Sequence, residues 1–255
     1  MYTADGRSEQ RIDTMTHTQT ALITGASRGL GKALAQFLAA QDTDLILTAR
    51  GSEALAAAAH ELSKFGGRTI TLAGDVTDAS HRHALAQAAE ELGGLDLLVN
   101  NASILGPSPL PPLAEYPLES LEQVLEVNFL APLGLVQATL PLLQRRRGLV
   151  VNISSDAAVG GYPGWGGYGA GKAALDLASL TLANELADSG VAVVSVDPGD
   201  LRTQMHQEAF PGEDISDRPL PEATLPFWAW LLGQEHSAIA GRRFKAQADV
   251  WVSEP

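Results

Sequence analysis

The chain contains no cysteine. That excludes disulfides, thiolate metal sites and thiol nucleophiles; it fits a reducing cytosol, so a cytoplasmic location is the expectation. It also lacks an apolar run approaching the ~20 residues of a membrane span, and no membrane partner is expected. Basic residues are scarce, with 17 Lys and Arg against 30 Asp and Glu and a formal net charge of -13. This balance argues against a nucleic-acid partner, because phosphate backbones need a basic face. The one dense basic run, Arg145-Arg146-Arg147, follows a helical stretch and reads as a solvated last turn complementing the helix dipole. No linker, repeat or low-complexity block divides the 255 residues. Met1 to Thr14 are polar and lack the apolar core of a signal peptide. Residues 1–17 are therefore expected to form a disordered arm, with Met15 a candidate start, and residues 18–255 a single domain.

What the chain does have is alternation. Short apolar strands near 21–24, 44–49, 69–72, 95–100, 149–154, 191–197 and 243–247 are separated by helical segments at 29–40, 52–65, 80–92, 118–146 and 168–189. This is the pattern of repeated βαβ units, and it predicts an α/β fold: a Rossmann-like, doubly wound parallel sheet of about seven strands with helices on both faces. With 45% hydrophobic and 18% charged residues, the chain is long and apolar enough for a large core.

Two local patterns carry chemistry. Ala21-Leu22-Ile23 runs into Thr24-Gly25-Ala26-Ser27-Arg28-Gly29-Leu30-Gly31 and then an apolar helical stretch, which reads as strand, glycine turn, helix. Glycines let backbone approach a pyrophosphate, and the helix N-terminus offers free N–H groups and a positive dipole end. The spacing differs from the common GxGxxG fingerprint. A plain turn would explain Gly25 but leaves three glycines in seven residues without a reason. The second pattern is Tyr168 and Lys172, four residues apart at the head of a helix, with Ser155 thirteen residues upstream of the tyrosine. Positions i and i+4 share a helix face, so an ammonium would sit near a phenol whose free pKa is ~10. A neighbouring cation lowers such a pKa toward the working range of an acid or base. The alternative is a packed tyrosine beside a lysine that snorkels to solvent.

Together with Asn100-Asn101-Ala102, Asn128 and Pro198-Gly199, these motifs closely resemble the short-chain dehydrogenase/reductase family in its single-domain form, over roughly residues 20 to 247. Two departures are visible: Ser103 stands where the Asn-Asn-Ala motif usually ends in glycine, and the C-terminus lacks a Gly-Gly tail. The resemblance implies a catalytic tetrad of Asn128, Ser155, Tyr168 and Lys172. In it Tyr168 is the general acid or base, Ser155 holds the substrate oxygen, Lys172 serves the tyrosine and the nicotinamide ribose, and Asn128 opens a water path to Lys172. It further implies cofactor contacts at Gly25, Ser27, Arg28, Gly29, Leu30, Gly31, Asp75, Val76, Asn101, Ala102, Tyr168, Lys172, Pro198, Gly199 and Thr203. A substrate lid is expected near 200–222.

The end of the second strand, Leu47-Thr48-Ala49-Arg50, lacks the carboxylate that NAD-preferring relatives place on the ribose 2′-hydroxyl. Arg50 and Arg28 can instead flank a 2′-phosphate, so NADP(H) is the expected cofactor. No metal is expected: His81 and His83 point to different helix faces and read as a solvated turn. His206, in the lid, reads by default as a solvent-facing loop residue, while Tyr162, Trp165, Met205 and Phe210 are candidates for an apolar pocket wall. The expected activity is hydride transfer between nicotinamide and a carbonyl or alcohol substrate. The alternative is a catalytically silent dinucleotide-sensing or scaffold protein. A homodimer or homotetramer is expected through helices 118–146 and 168–189, with Leu133, Leu135 and Ala178 as outer apolar positions.

Overall fold

The computed structural model describes residues 18–251, so the proposed arm 1–17 lies outside the described residues. Seven strands form one parallel sheet: β1 (Thr20–Thr24), β2 (Asp44–Ala49), β3 (Thr69–Ala73), β4 (Leu97–Asn100), β5 (Leu149–Ile153), β6 (Ala192–Asp197) and β7 (Arg243–Lys245). Their order is β3-β2-β1-β4-β5-β6-β7. The chain reverses direction of winding between β1 and β4, which opens a crevice at the carboxyl ends of these strands. Every residue of β1, β4, β5 and β6 is buried, which is why they read as apolar runs without alternation.

The helices are α1 (Gly29–Ala39), α2 (Ser52–Leu62), α3 (Ala79–Glu91), α4 (Leu118–Leu125), α5 (Ala131–Arg146), α6 (Ala157–Gly160), α7 (Gly166–Glu185), α8 (Gln204–Ala209), α9 (Leu225–Leu232) and α10 (His236–Ile239). One core joins Leu34, Leu47, Leu55, Val151, Phe227 and Trp228 on the α1, α2 and α9 face. The other joins Leu22, Leu85, Leu135, Leu143, Ala183 and Val193 on the α3, α5 and α7 face. Both faces of the sheet are therefore covered, as the βαβ alternation predicts.

The helix expected over 118–146 is interrupted by a π-helical turn at Glu126–Leu130, between α4 and α5, with Asn128 at its centre. The composite Leu118–Arg146 is long and apolar enough to cross a membrane by length and composition, contrary to the reading of the bare sequence. Here α5 packs against α3 and the sheet. Leu135 belongs to that core rather than to an outer face, and the exposed leucines of these helices are Leu118, Leu130, Leu177 and Leu180. Between β4, β5 and α7 runs a buried polar chain: Asn100 Nδ2 donates to Asn152 Oδ1 at 2.8 Å, and Asn152 Nδ2 to Ser179 Oγ at 2.8 Å. Each buried amide is thereby paired, at positions where an unpaired group would be costly.

Candidate active site

The carboxyl ends of the central strands open into a cleft of ≈ 1530 Å³. At one end lies the glycine turn after β1. Gly25 and Gly29 adopt φ of +66° and +55°, a region that side chains rarely enter. A Cβ on Gly31 would lie 2.4 Å from the Gly25 carbonyl oxygen and 2.6 Å from Asn101 Nδ2. Gly31 thus lets α1 pack tightly against the turn and, unlike Gly25, Ser27, Arg28, Gly29 and Leu30, does not line the cleft. Asn101 braces the same turn from β4, its Nδ2 donating to Thr24 O at 2.8 Å and Gly25 O at 3.2 Å. The backbone N–H groups of Asn101 and Ala102 both donate to Thr24 Oγ1 at 2.9 Å. Asn101 therefore holds the floor of the cleft in place with an amide already committed to backbone.

No side chain caps the N-terminus of α1, and its first turn carries no acidic residue. Among the described helices, α3 and α8 alone carry a side-chain cap, from Asp78 and Thr203, so the open end of α1 matters for its place beside the cleft. An uncapped helix end cleared of Cβ atoms and facing a cleft fits the diphosphate of a dinucleotide. Arg28 and Arg50 line the same region. Asp75 and Val76 follow β3 there; the Asp75 carboxylate accepts from Thr77 N at 2.9 Å and Thr77 Oγ1 at 2.8 Å, and these bonds hold its pKa below the usual range. His81 is half-buried rather than fully solvated: Nε2 lies 2.8 Å from Thr48 Oγ1, and burial lowers its pKa. Among the described residues no group of His, Asp and Glu is placed to hold a metal.

Ser155, Tyr168 and Lys172 meet on the cleft wall below β5. The first two turns of α7 bury Tyr168 and Lys172 on one face, against β5 and the π-helical turn. Gly169 and Gly171 permit this approach, since a Cβ on Gly169 would lie 2.4 Å from Ala157 O and one on Gly171 3.2 Å from Asn128 Cβ. Burial raises the Tyr168 pKa; hydrogen bonds from the Ser103 and Ser155 hydroxyls oppose the rise, and Asp197 and Asp156 add to it. The net shift is upward, so burial outweighs the depression that the i, i+4 spacing suggests for Lys172. Its Nζ lies 5.6 Å from the Tyr168 ring centroid and donates to Ile153 O at 2.7 Å. Asn128 is fully buried behind the cleft, its Oδ1 accepting from Ser103 Oγ at 3.0 Å and Ile104 N at 2.9 Å while Nδ2 donates to Ile104 O at 2.8 Å.

Lys172 is 1% exposed, and burial lowers its pKa to about 8, with Asp176 opposing the shift. The unfolded chain keeps this proton up to a pH near ~10.4. Between pH 8 and that value the unfolded state binds more protons, so stability from this group rises with pH, and the full cost of the buried ammonium is felt below pH 8. Lys172→Met removes that cost. Its effect on folding free energy in the free protein should be more favourable at pH 7 than at pH 10 by about 2 kcal/mol. Urea unfolding of both proteins at both pH values measures it, and an effect independent of pH contradicts the burial argument.

Sequence reasoning missed Arg243. From β7 its Nε donates to Asp176 Oδ2 at 3.0 Å, and its Nη2 to Ser155 O at 2.7 Å and Asp197 Oδ2 at 3.4 Å. It ties the end of β5 to β6 and α7, and a lone arginine in an edge strand gives no sequence signal of this. At the far end of the cleft, Trp165 packs edge-on to Tyr168 with ring centroids 5.8 Å apart and contacts Phe210 at 5.9 Å. Leu105, Leu110 and Met205 complete this apolar wall, whereas Tyr162 lies 45% exposed. His206 is not a solvent-facing loop residue: it stacks on Phe210 at 4.9 Å, and its side chain is 10% exposed. Pro198, Gly199 and Thr203 line the cleft after β6, and Gln247 Nε2 braces this bend by donating to Pro198 O at 2.9 Å and Asp200 O at 3.1 Å.

Residues 19–214 match the short chain dehydrogenase family. The chain is 38% identical over 188 residues to a serine 3-dehydrogenase of Rhizobium radiobacter, covering 72% of this chain and 73% of that protein. It is 32% identical over 231 residues to the uncharacterized oxidoreductase YciK of Escherichia coli K12, covering 89% and 90%. Among solved structures, a protein of Escherichia coli CFT073 described as a short chain dehydrogenase and complexed with NADPH superposes with a TM-score of 0.83 at 31% identity, over 90% of this chain and 97% of that one. The fold, the glycine turn and these relatives agree, and the chain belongs to the short chain dehydrogenase family of oxidoreductases.

Proposed function

We propose that this chain is an NADP(H)-dependent carbonyl reductase or alcohol dehydrogenase, with Tyr168 as general acid or base. The observation that carries the reading is the placement of the Tyr168 phenol. It stands with Ser155 and Lys172 on the wall of a cleft whose other end is an uncapped helix N-terminus flanked by Arg28 and Arg50. A bound nicotinamide supplies or accepts the hydride. The protein must then manage the carbonyl oxygen, which becomes an alkoxide and needs a proton. Tyr168 delivers it in reduction and removes it in oxidation. Ser155 hydrogen-bonds that oxygen and fixes its position. Lys172 holds the ribose, and Asn128 keeps the Ser103–Ile104 segment and the π-helical turn in register, so that water can reach Lys172 and restore the proton.

The NADP(H) form is favoured by Ala49, which leaves no carboxylate beside the ribose, by the two guanidinium groups, and by the NADPH-complexed E. coli CFT073 relative. A dinucleotide sensor or scaffold would have no use for a buried lysine that weakens the fold. Residues 18–255 act as one catalytic domain with a lid near 200–222, in which Arg28 Nη1 donates to Gln204 Oε1 across the cofactor end. A homodimer or homotetramer through α4, α5 and α7 is part of the same proposal, supported by exposed Leu130, Leu177 and Leu180. The test is NADPH consumption against a panel of aldehydes, ketones, quinones and imines. Oxidation of NADPH with at least one carbonyl class is the expected result, and no turnover with any of them contradicts it.

A further inference from the structure

The wall of the cleft that carries Ser155 is held from behind by Arg243, which does not line the cleft itself. Its guanidinium reaches three elements at once. Nε donates to Asp176 Oδ2 on α7 at 3.0 Å, and Nη2 donates to Ser155 O beyond β5 at 2.7 Å and to Asp197 Oδ2 at the end of β6 at 3.4 Å. Asp176 stands one helical turn after Lys172, while Asp197 lines the cleft just before Pro198 and Gly199. The side chains of Asp176 and Asp197 are 16% and 5% exposed, so their charges need a partner within the fold. A lysine could supply the charge. Its single nitrogen, however, cannot stand where two separate guanidinium nitrogens stand.

The bond to the Ser155 carbonyl bears on the chemistry. The paired register of β5 and β6 ends at Ile153 and Val196, and Ser154 N donates to Val196 O at 2.7 Å. Past that point the bonds are local: Ala158 N donates to Ser155 O at 3.0 Å, and Ala157 N to Ser155 Oγ at 3.2 Å. They set the shape of the turn but not its place against α7 and β6. The bond from Arg243 sets that place. Resting on the acid–base site proposed above, we infer that Arg243 is a positioning residue for carbonyl reduction, holding the Ser155 turn in register with the helix of Tyr168 and Lys172. The serine hydroxyl and the phenol then meet at one substrate oxygen. Losing this bond leaves Ser155 O paired with Ala158 N, so it displaces the hydroxyl without stranding the carbonyl.

The test is reduction of a carbonyl identified in the panel under saturating NADPH, with NADPH affinity measured on the same preparations. Arg243→Lys keeps a charge between the two carboxylates but loses the fork. It should lower kcat ~10- to 100-fold, the scale of a small misplacement at a reacting centre, with the NADPH dissociation constant within about twofold of wild type. In Arg243→Ala, added ethylguanidinium should restore part of kcat and ethylammonium should not; the 24% exposure of the native side chain gives a small cation a way in. A brace that serves stability alone predicts neither result. Wild-type kcat or lost NADPH binding in Arg243→Lys, no restoration of Arg243→Ala by ethylguanidinium, or equal restoration by both cations overturns the inference and leaves the role of Tyr168 standing. If Arg243→Ala does not fold, the result for Arg243→Lys decides alone. A wild type that reduces no carbonyl, or Tyr168→Phe acting at the wild-type rate, contradicts the proposed function and the inference with it.

Discussion

Arg50→Ala should weaken NADPH binding ~10- to 100-fold while leaving NADH affinity within a factor of about two, the span expected for losing one charge-assisted hydrogen bond to a 2′-phosphate. The structural reason is local. Arg50 is exposed at the end of β2 and lines the cleft, and Ala49 before it offers no carboxylate to hold a 2′-hydroxyl. A guanidinium matches a phosphate in charge and in geometry, whereas it has little to grip on a bare ribose. Arg28→Ala should lower NADPH affinity by a similar factor but also disturb NADH binding, because Arg28 additionally bonds Gln204 at the start of α8. Removing both should erase the preference, and Ala49→Asp added to Arg50→Ala should reverse it toward NADH. Titration of each variant with both cofactors at fixed ionic strength measures this. Equal affinities in the wild type, or an unchanged ratio in Arg50→Ala, contradict the assignment of NADP(H).

The sheet and the cleft were legible because their signals are local. The strand read over 44–49 is β2 itself, and the others fall within a few residues of their observed ends. The glycine turn could be read because strand, glycines and helix are contiguous, and Tyr168 and Lys172 because i, i+4 spacing guarantees a shared helix face. What spacing cannot give is burial. Lys172 turns its ammonium to Ile153 O and is itself destabilised as a cation, and burial of Tyr168 outweighs the depression that the spacing suggests. The π-helical turn at Asn128 was hidden because it changes the pitch and leaves the hydropathy untouched. Helix α9, with the sequence Leu-Pro-Phe-Trp-Ala-Trp-Leu-Leu, shows no period of 3.6 because it packs Phe227, Trp228 and Trp230 among Phe244 and Trp251. The outward expectation for Leu135 fails for the converse reason: both faces of α5 are apolar, and sequence alone does not say which one meets the sheet.

Replacing Tyr168 by phenylalanine isolates the proton from everything else that the residue does. The ring is 7% exposed and packs edge-on to Trp165 at 5.8 Å, contacts that phenylalanine keeps. The neighbouring hydroxyls have partners of their own, Ser103 with Asn128 and Ser155 with Asp156, so no buried donor is stranded and the fold should stand. The glycine turn and α1 N-terminus are untouched. Binding and turnover should therefore separate. With a substrate found from the carbonyl panel, Tyr168→Phe should lower kcat by ~100-fold or more, the scale of a lost general acid, with the dissociation constant for NADPH within about twofold of wild type. The most direct measurement takes both quantities from one preparation: NADPH binding by fluorescence titration and carbonyl reduction under saturating cofactor. Retained binding with lost turnover is the predicted result; turnover near the wild-type rate would contradict the role assigned to Tyr168 and, with it, the proposed function.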